Sequence, residues 1–395
     1  MRRFVGPRGQ TRRSAAHGAD GGSQDLLATA LVGRVPGRGS LLARPVWISF
    51  LIREMIYVLL ALLSAALFGA ATPLSKALLS SFGAFQLAGL LYLGAALGAS
   101  TVAFKKGQTQ PWRMGRANIV RLSGAVLIGG VMAPILLLLG LKVASAASVS
   151  LWLPLELVAT AVLGRTLFGD HLGVFGWLGM FGVVAASVML SVGEGTAGVE
   201  AGLLILAACV CWGFDNNFTA LIDGITPAQS TFWKGMVAGI INLGLGMAVQ
   251  DWTGTTAGVL GALGVGALSY GASIILYITA AQNLGAARGQ MFFASSPFFG
   301  VLLSALLLGE SISVLQIAAM ASLGVSLVLV LRDRHGHWHR HEALEHEHSH
   351  RHDDGHHDHA HVDDREAGRH THRHHHEPVV HTHPHWPDLH HRHRH

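Results

Sequence analysis

Charge is the scarcest thing in this chain. Only 13% of its 395 residues are Asp, Glu, Lys or Arg, about half of the ~25% usual in soluble domains. A soluble fold of this length would have too little charge to cover its surface. Cysteine is nearly missing as well, and two residues exclude a disulfide scaffold. Glycine is plentiful at 49 residues but keeps no period of three, which excludes collagen. What is present is apolar: half the chain is hydrophobic, the composition of a polytopic membrane protein.

The scarcity is uneven. Residues 1–54 hold nine Arg, no Lys and three acids; residues 55–331 hold ten bases and eight acids; residues 332–395 hold nine Arg, twelve acids and 24 of the 26 His. The overall basic balance is no argument for nucleic acid, because the basic head lacks interleaved aromatics and the tail is acidic while its imidazoles are neutral. The head has no clear period, and its apolar stretch Leu41–Ile52 is broken by Arg44 and Pro45 and is too short to span. Arg2-Arg3 is not followed closely by a long apolar run, and an Arg-rich, acid-poor head also fits a transit segment. The expectation for 1–54 is a disordered extension, or an upstream start with Met55 as the true first residue.

From Met55 onward ten apolar runs recur, near 55–79, 84–104, 119–140, 145–164, 172–192, 201–222, 228–249, 257–281, 286–308 and 313–331. Each approaches the ~20 residues a bilayer core demands. Lipid leaves no water for backbone groups, so these runs should be helices. Bases gather on one side: Arg44 and Arg53, then Lys105, Lys106, Arg113, Arg116 and Arg121, then Arg165, Arg288, Arg332 and Arg334. The other side has the loop Gly193–Glu200, with two Glu and no base, the loop at Asp251, and only Lys76 and Lys142 nearby. The positive-inside rule therefore puts both termini in the cytoplasm.

The two halves echo each other. At an offset of 144, Phe68-Gly69 meets Trp212-Gly213; at 140, Ala146-Ala147 meets Ala286-Ala287 and Gly169-Asp170 meets Gly309-Glu310. Five helices per half is an odd number, so the second half must enter the membrane upside down. The fold expected is an all-α membrane protein of ten transmembrane helices arranged as two inverted five-helix repeats, 55–192 and 201–331, an architecture common in secondary transporters.

These motifs resemble those of EamA-type members of the drug/metabolite transporter superfamily. The resemblance rests on the aromatic-glycine pairs at 68–69 and 212–213, the small-residue turns Ala144-Ser145-Ala146-Ala147 and Gly285-Ala286-Ala287, Leu155-Glu156-Leu157 with Ser295-Ser296-Pro297, and the glycine-acid pairs. It covers about 59–331. Leu157 stands where the family often has Pro, and Ser296 where the first half has Glu156. The resemblance implies a secondary active transporter, an exporter of a small organic metabolite or drug-like compound at the inner (plasma) membrane. Its helices 1–4 and 6–9 would surround the site. It does not imply an enzyme.

Charges inside a membrane helix are costly and mark function by default. Glu156 lies mid-helix, roughly 15 Å from the ends at ~1.5 Å per residue, beside the carbonyl that Pro154 frees. A carboxyl there can exchange a proton or bind a cation. Asp215 and Lys234 lie at similar depth on helices joined by a short turn, which predicts an ion pair, with Lys234 snorkelling as the alternative. Asn216 and Asn217 extend that cluster. Trp152, Tyr270, Tyr277, Gln290, Ser295 and Ser296 are candidates to line a binding cavity. Cys209 and Cys211 are about 200° apart around a helix and share no ion.

The tail cannot make a core, so its composition predicts disorder. Its His335, His337, His339 and His341, then His346, His348, His350 and His352, then His356, His357, His359 and His361, are candidate ligands for Zn, Ni or Cu. This makes a divalent transition-metal transporter, or an exporter with the tail as metal sensor or buffer, the rival function. No cofactor is required. The partners expected are the lipid bilayer, a small-molecule substrate, a coupling proton or cation, and a second copy in a homodimer, but no nucleic acid.

Overall fold

A computed structural model describes residues 46–104, 114–168, 173–222, 225–284 and 286–332, and the backbone of 335–340, 344–350, 370–376 and 380–385. The head candidates before residue 46, with Asp170 and His341, His352, His356, His357, His359 and His361, lie outside the described residues. Contacts divide the chain into Met1–Ser49 and Phe50–His395; the ten helices below belong to the second unit.

Among the described residues, ten helices are long and apolar enough to cross a membrane: α1 (Met55–Leu78), α2 (Ala84–Ala103), α3 (Arg116–Val143), α4 (Ala146–Leu167), α5 (Val174–Gly193), α6 (Gly195–Ala220), α7 (Pro227–Val249), α8 (Thr256–Ala281), α9 (Gly289–Leu308) and α10 (Val314–Arg332). The membrane-spanning part of the protein, 55–332, is all-α. Two boundaries depart from the expectation. Helical backbone is described from Val46, ahead of the span that starts at Met55, so the last residues of the expected extension are helical. The expected loop Gly193–Glu200 is almost entirely helix, because Gly195 takes φ +75° and lets α5 turn into α6 within two residues.

Helix starts are set by short polar side chains. Thr226 accepts from Gln229 N, and the Gln229 side chain accepts in return from Thr226 N, while Pro227 fills the first helical position. Thr255 and Ser145 cap α8 and α4 in the same way. Gly309, at φ +66°, closes α9.

Several helices are interrupted. α4 breaks at Leu153-Pro154, where proline has no N–H to give, and α9 breaks at Ala294-Ser295, just before Pro297. α3 and α8 each contain a π-helical stretch, Ala125–Met132 and Gly266–Ala272. These wide turns leave carbonyls free for side chains from other helices.

Packing is inside-out relative to a soluble protein. The core is rich in alanine and glycine, while Phe181 (73% exposed) and Leu306 (70% exposed) point outward, as lipid contact requires. The closest approaches are glycine seams. A Cβ at Gly89 of α2 would stand 2.7 Å from Leu243 Cα of α7, and one at Gly235 of α7 would stand 2.7 Å from Tyr92 O of α2. Gly239 and Gly246 continue this seam, and Gly94, Gly266 and Gly271 make another between α2 and α8. Gly179 and Gly182 of α5 meet Ser326 and its neighbours on α10.

Within the tail, for which disorder is expected, the backbone of four strands is described. Strands β1 (His335–Arg340) and β4 (Val380–His385) pair antiparallel, as do β2 (Leu344–His350) and β3 (His370–His376). The expectation rested on the lack of a core. The alternation of His with other residues has period two, which suits backbone pairing whether or not a core forms.

Candidate functional site

The break in α4 positions the first group. Pro154 ends one helical segment and Leu155 begins the next, which places Glu156 in its first turn. Asn216 of α6 donates from Nδ2 to Glu156 Oε1 (2.8 Å) and to Thr160 Oγ1 (3.1 Å). Glu156 is half-buried and Asn216 exposed. Among the described residues no cationic side chain pairs with Glu156. Asn217 turns to backbone, donating to Thr160 O (3.0 Å) and Gly213 O (2.8 Å). The two asparagines thus join α6 to α4 and do not extend the Asp215 cluster as expected.

Asp215 and Lys234 form the second group. Lys234 Nζ donates to both Asp215 oxygens, Oδ2 at 2.6 Å and Oδ1 at 2.8 Å. Thr219 adds a donor to Oδ1 at 3.0 Å. The Asp215 side chain is 4% exposed and that of Lys234 20%. The structure therefore has the ion pair and not the snorkelling lysine. Gly129 makes room for it, since any Cβ there would collide with the Asp215 side chain.

The π-helical stretch of α3 binds this region together. Gly129 O accepts from Tyr92 OH (3.0 Å) and from Trp212 Nε1 (3.1 Å), and Gly130 O accepts from Asn242 Nδ2 (3.2 Å). Aromatic rings continue from there. Tyr92 lies 6.4 Å from Tyr270, Tyr270 5.9 Å from Phe68, Phe68 5.2 Å from Phe293, and Phe293 4.8 Å from Tyr277. Tyr277 OH donates to Gln290 Oε1 at 2.7 Å. Tyr270, Tyr277 and Gln290 are therefore brought together, in a chain whose other members, Tyr92, Phe68 and Phe293, sequence reasoning did not select. Phe68 and Trp212 carried a usable signal, as the aromatic members of the duplicated aromatic-glycine pairs.

Two candidates are placed otherwise. Trp152 is fully buried and donates to Ser187 O (3.2 Å), so it is a packing residue between α4 and α5 and not a lining one. Ser295 turns back to Phe292 O (2.6 Å), while the buried Ser296 presents its carbonyl to Gly69. Cys209 and Cys211 are free and buried.

The aromatic-glycine pairs have matching surroundings. A Cβ at Gly69 would crowd Ser296 O, Phe299 Cβ and Gly300 N; one at Gly213 would crowd Ala159 and Thr160 N. A shift of 140 positions carries Phe299 and Gly300 onto Ala159 and Thr160. α1 thus touches α9 as α6 touches α4.

A third cluster lies where the α3–α4, α5–α6 and α9–α10 turns meet. Glu310 accepts from Ala146 N (2.9 Å) and Ala147 N (3.0 Å), holding the start of α4 by its free amides. Lys76 donates to Leu141 O (2.6 Å) and Ala144 O (2.9 Å) at the end of α3. Ser148 donates to Glu194 in a short contact and accepts from Gln316 Nε2 at 2.8 Å. Sequence reasoning read Glu194 and Lys76 only as charges near loops, and Glu310 as half of a glycine-acid pair; Lys76 and Glu310 hold backbone groups, which no side-chain pattern reveals, and Glu194 takes the Ser148 hydroxyl.

The sequence profile of a family described as the EamA-like transporter family matches residues 55–192 and 200–332. A protein of Methanothermobacter thermautotrophicus, named only as an uncharacterized transporter, is 27% identical over 223 residues, 54% of this chain. The match spans 64% of that relative's length. A solved structure titled only as the crystal structure of a protein aligns over 71% of this chain and 97% of its own, at 16% identity and a TM-score of 0.47.

Proposed function

Because the chain belongs to the EamA-like transporter family, we propose that it is a secondary active transporter exporting a small organic metabolite or drug-like compound across the inner membrane, with both termini cytoplasmic. The observation that carries this reading is Glu156. A carboxylate near mid-helix, beside a proline break, is hydrogen-bonded by one amide, and no cation pairs with it among the described residues. Such a group is expensive in a membrane unless it exchanges a proton or receives a positively charged ligand. The aromatic chain from Tyr92 to Tyr277 supplies apolar, stackable walls, and Gln290 and Asn216 supply a few fixed polar groups, a composition suited to organic solutes.

Alternation is proposed to run on an inverted repeat. The family profile matches twice in succession, and the contacts of Gly69 and Gly213 correspond at the offset read from sequence, which supports two copies of one five-helix unit. Discontinuous α4 and α9 would face each other at the site, as broken helices do in other inverted-repeat carriers.

The test is transport in proteoliposomes, with a panel of amines, amino acids, nucleosides and sugars under an imposed proton gradient. Glu156→Gln keeps an acceptor for Asn216, so the fold should hold within about 0.5 kcal/mol while gradient-driven transport is lost. Wild-type transport that Glu156→Gln leaves intact would overturn the coupling role. Divalent-metal flux that depends on Glu156, with no organic flux, would overturn the substrate class.

A further inference from the structure

The registers of the two tail ladders set histidine against histidine. In β1–β4 the paired positions are His335 with His385, His337 with His383, and His339 with His381. In β2–β3 they are His346 with His374, His348 with His372, and His350 with His370. Directly paired residues share a face of an antiparallel ribbon, and so do residues two apart on one strand. Each ladder therefore gathers six histidines onto a single face.

The other face of β2–β3 fixes this arrangement. Glu345 pairs with His375, Glu347 with Arg373, and Ser349 with Thr371. Opposite charges directly across a ladder favour a register, and a slip of one residue would separate Glu347 from Arg373 and take most histidines off their partners. The two ladders also keep one frame, since paired numbers add to the same value in both. Histidines occupy odd positions of β1 and even positions of β2, so the two stripes do not merge into one.

We propose that each ladder is a binding site for one divalent transition-metal ion of the zinc, nickel and copper class, held by two adjacent histidine pairs. Neighbouring pairs put four histidines at the corners of a rectangle about 5 by 7 Å. Imidazole is the ligand such ions favour, and this register sets four histidines at adjacent positions of one face. A two-stranded ribbon without a core is marginal in water; the ion supplies the cross-link that a core would otherwise provide, so metal binding and ribbon formation are one event. The N-terminal half of each site was visible as alternating histidines. The C-terminal half, His370–His374 and His381–His385, matters because the register brings it back onto the first. This site is independent of what the helices transport.

The probe is Zn2+, titrated into the full-length protein in nanodiscs by equilibrium dialysis. The wild type should bind one tight ion per ladder. The triple His381→Asn, His383→Asn, His385→Asn should lose one ion and keep the other, and so should the triple His370→Asn, His372→Asn, His374→Asn. Removing the same number of histidines outside the ladders, as His356→Asn, His357→Asn, His359→Asn, should lose neither. Cobalt in place of zinc should give the intense visible absorption of a four-coordinate site. Equal loss of zinc from all three triples marks a chelator set by composition alone and overturns the proposal, as does a weak six-coordinate cobalt spectrum.

Discussion

Asp215→Asn, Lys234→Met and their combination form a thermodynamic cycle that the geometry allows to be worked in advance. At 2.6 Å the Coulomb attraction is about 6 kcal/mol with an effective dielectric of 20, and desolvation of both ions offsets much of it. Removing one partner is a different matter, because it strands the other charge and typically costs about 3–5 kcal/mol. The two single costs should differ. Lys234→Met leaves Asp215, with a 4% exposed side chain, supported only by Thr219, and should sit at the upper end of that range. Asp215→Asn leaves a lysine that is 20% exposed and long enough to reach toward the headgroups, and should sit at the lower end or below. The double variant strands no charge, so its cost should be smaller than that of Lys234→Met alone. The assay is reversible unfolding in mixed micelles followed by tryptophan fluorescence, with transport measured alongside. Strict additivity, the double variant costing the sum of the singles, would refute the coupling.

Other expectations follow from single contacts. Gly213→Val should cost about 1–3 kcal/mol, because even its first carbon would stand 3.0 Å from Thr160 N and 3.1 Å from Ala159 Cβ; a circular-dichroism melt checks it, and an unchanged melt contradicts the close α4–α6 approach. Glu310→Ala should cost about 1 kcal/mol and speed hydrogen exchange at Ala146 and Ala147, whose amides it now occupies; unchanged exchange there rules the carboxylate out as their cap. Tyr92→Phe removes one donor to Gly129 O and leaves Trp212, so its effect on stability should stay near 0.5–1.5 kcal/mol in the same unfolding assay, and a loss well beyond that contradicts the shared carbonyl.

Much of this architecture was legible because the bilayer imposes few rules and strict ones. Run length fixed the spans to within a few residues at most helix ends. Equal depth and the short turn between α6 and α7 set Asp215 beside Lys234 but left snorkelling an equal alternative; the structure decides for the pair. The reading failed where backbone is a partner. Lys76 holds carbonyls and Glu310 holds amides, and such acceptors and donors exist everywhere in a sequence without marking themselves. The π-helical stretches went unseen for a related reason: one extra residue per turn leaves no compositional trace, although Gly129-Gly130 marks where side chains reach a freed carbonyl. Trp152 misled because an aromatic beside a proline break suits a cavity wall as well as a core. In the tail, alternation suggested ligands, but the partner half lies far along the chain, and local spacing cannot report it.

The glycine seams have a mechanical consequence. Where backbone lies against backbone, there are no rotamers to exchange and no side chain to slide over its neighbour. α2 is joined in this way to α7 and α8, so sliding of these three helices past one another should be resisted. These contacts cross from one family match, 55–192, to the other, 200–332, so any motion of one against the other has to carry α2 with α7 and α8 or break the seams. Compliance has to come from the broken α4 and α9 and from joints held by replaceable polar contacts, such as Asn216 on Glu156 or Glu310 on the α4 amides. Two matches to one family divide the sequence; the seams mark which helices lie too close to slip past one another.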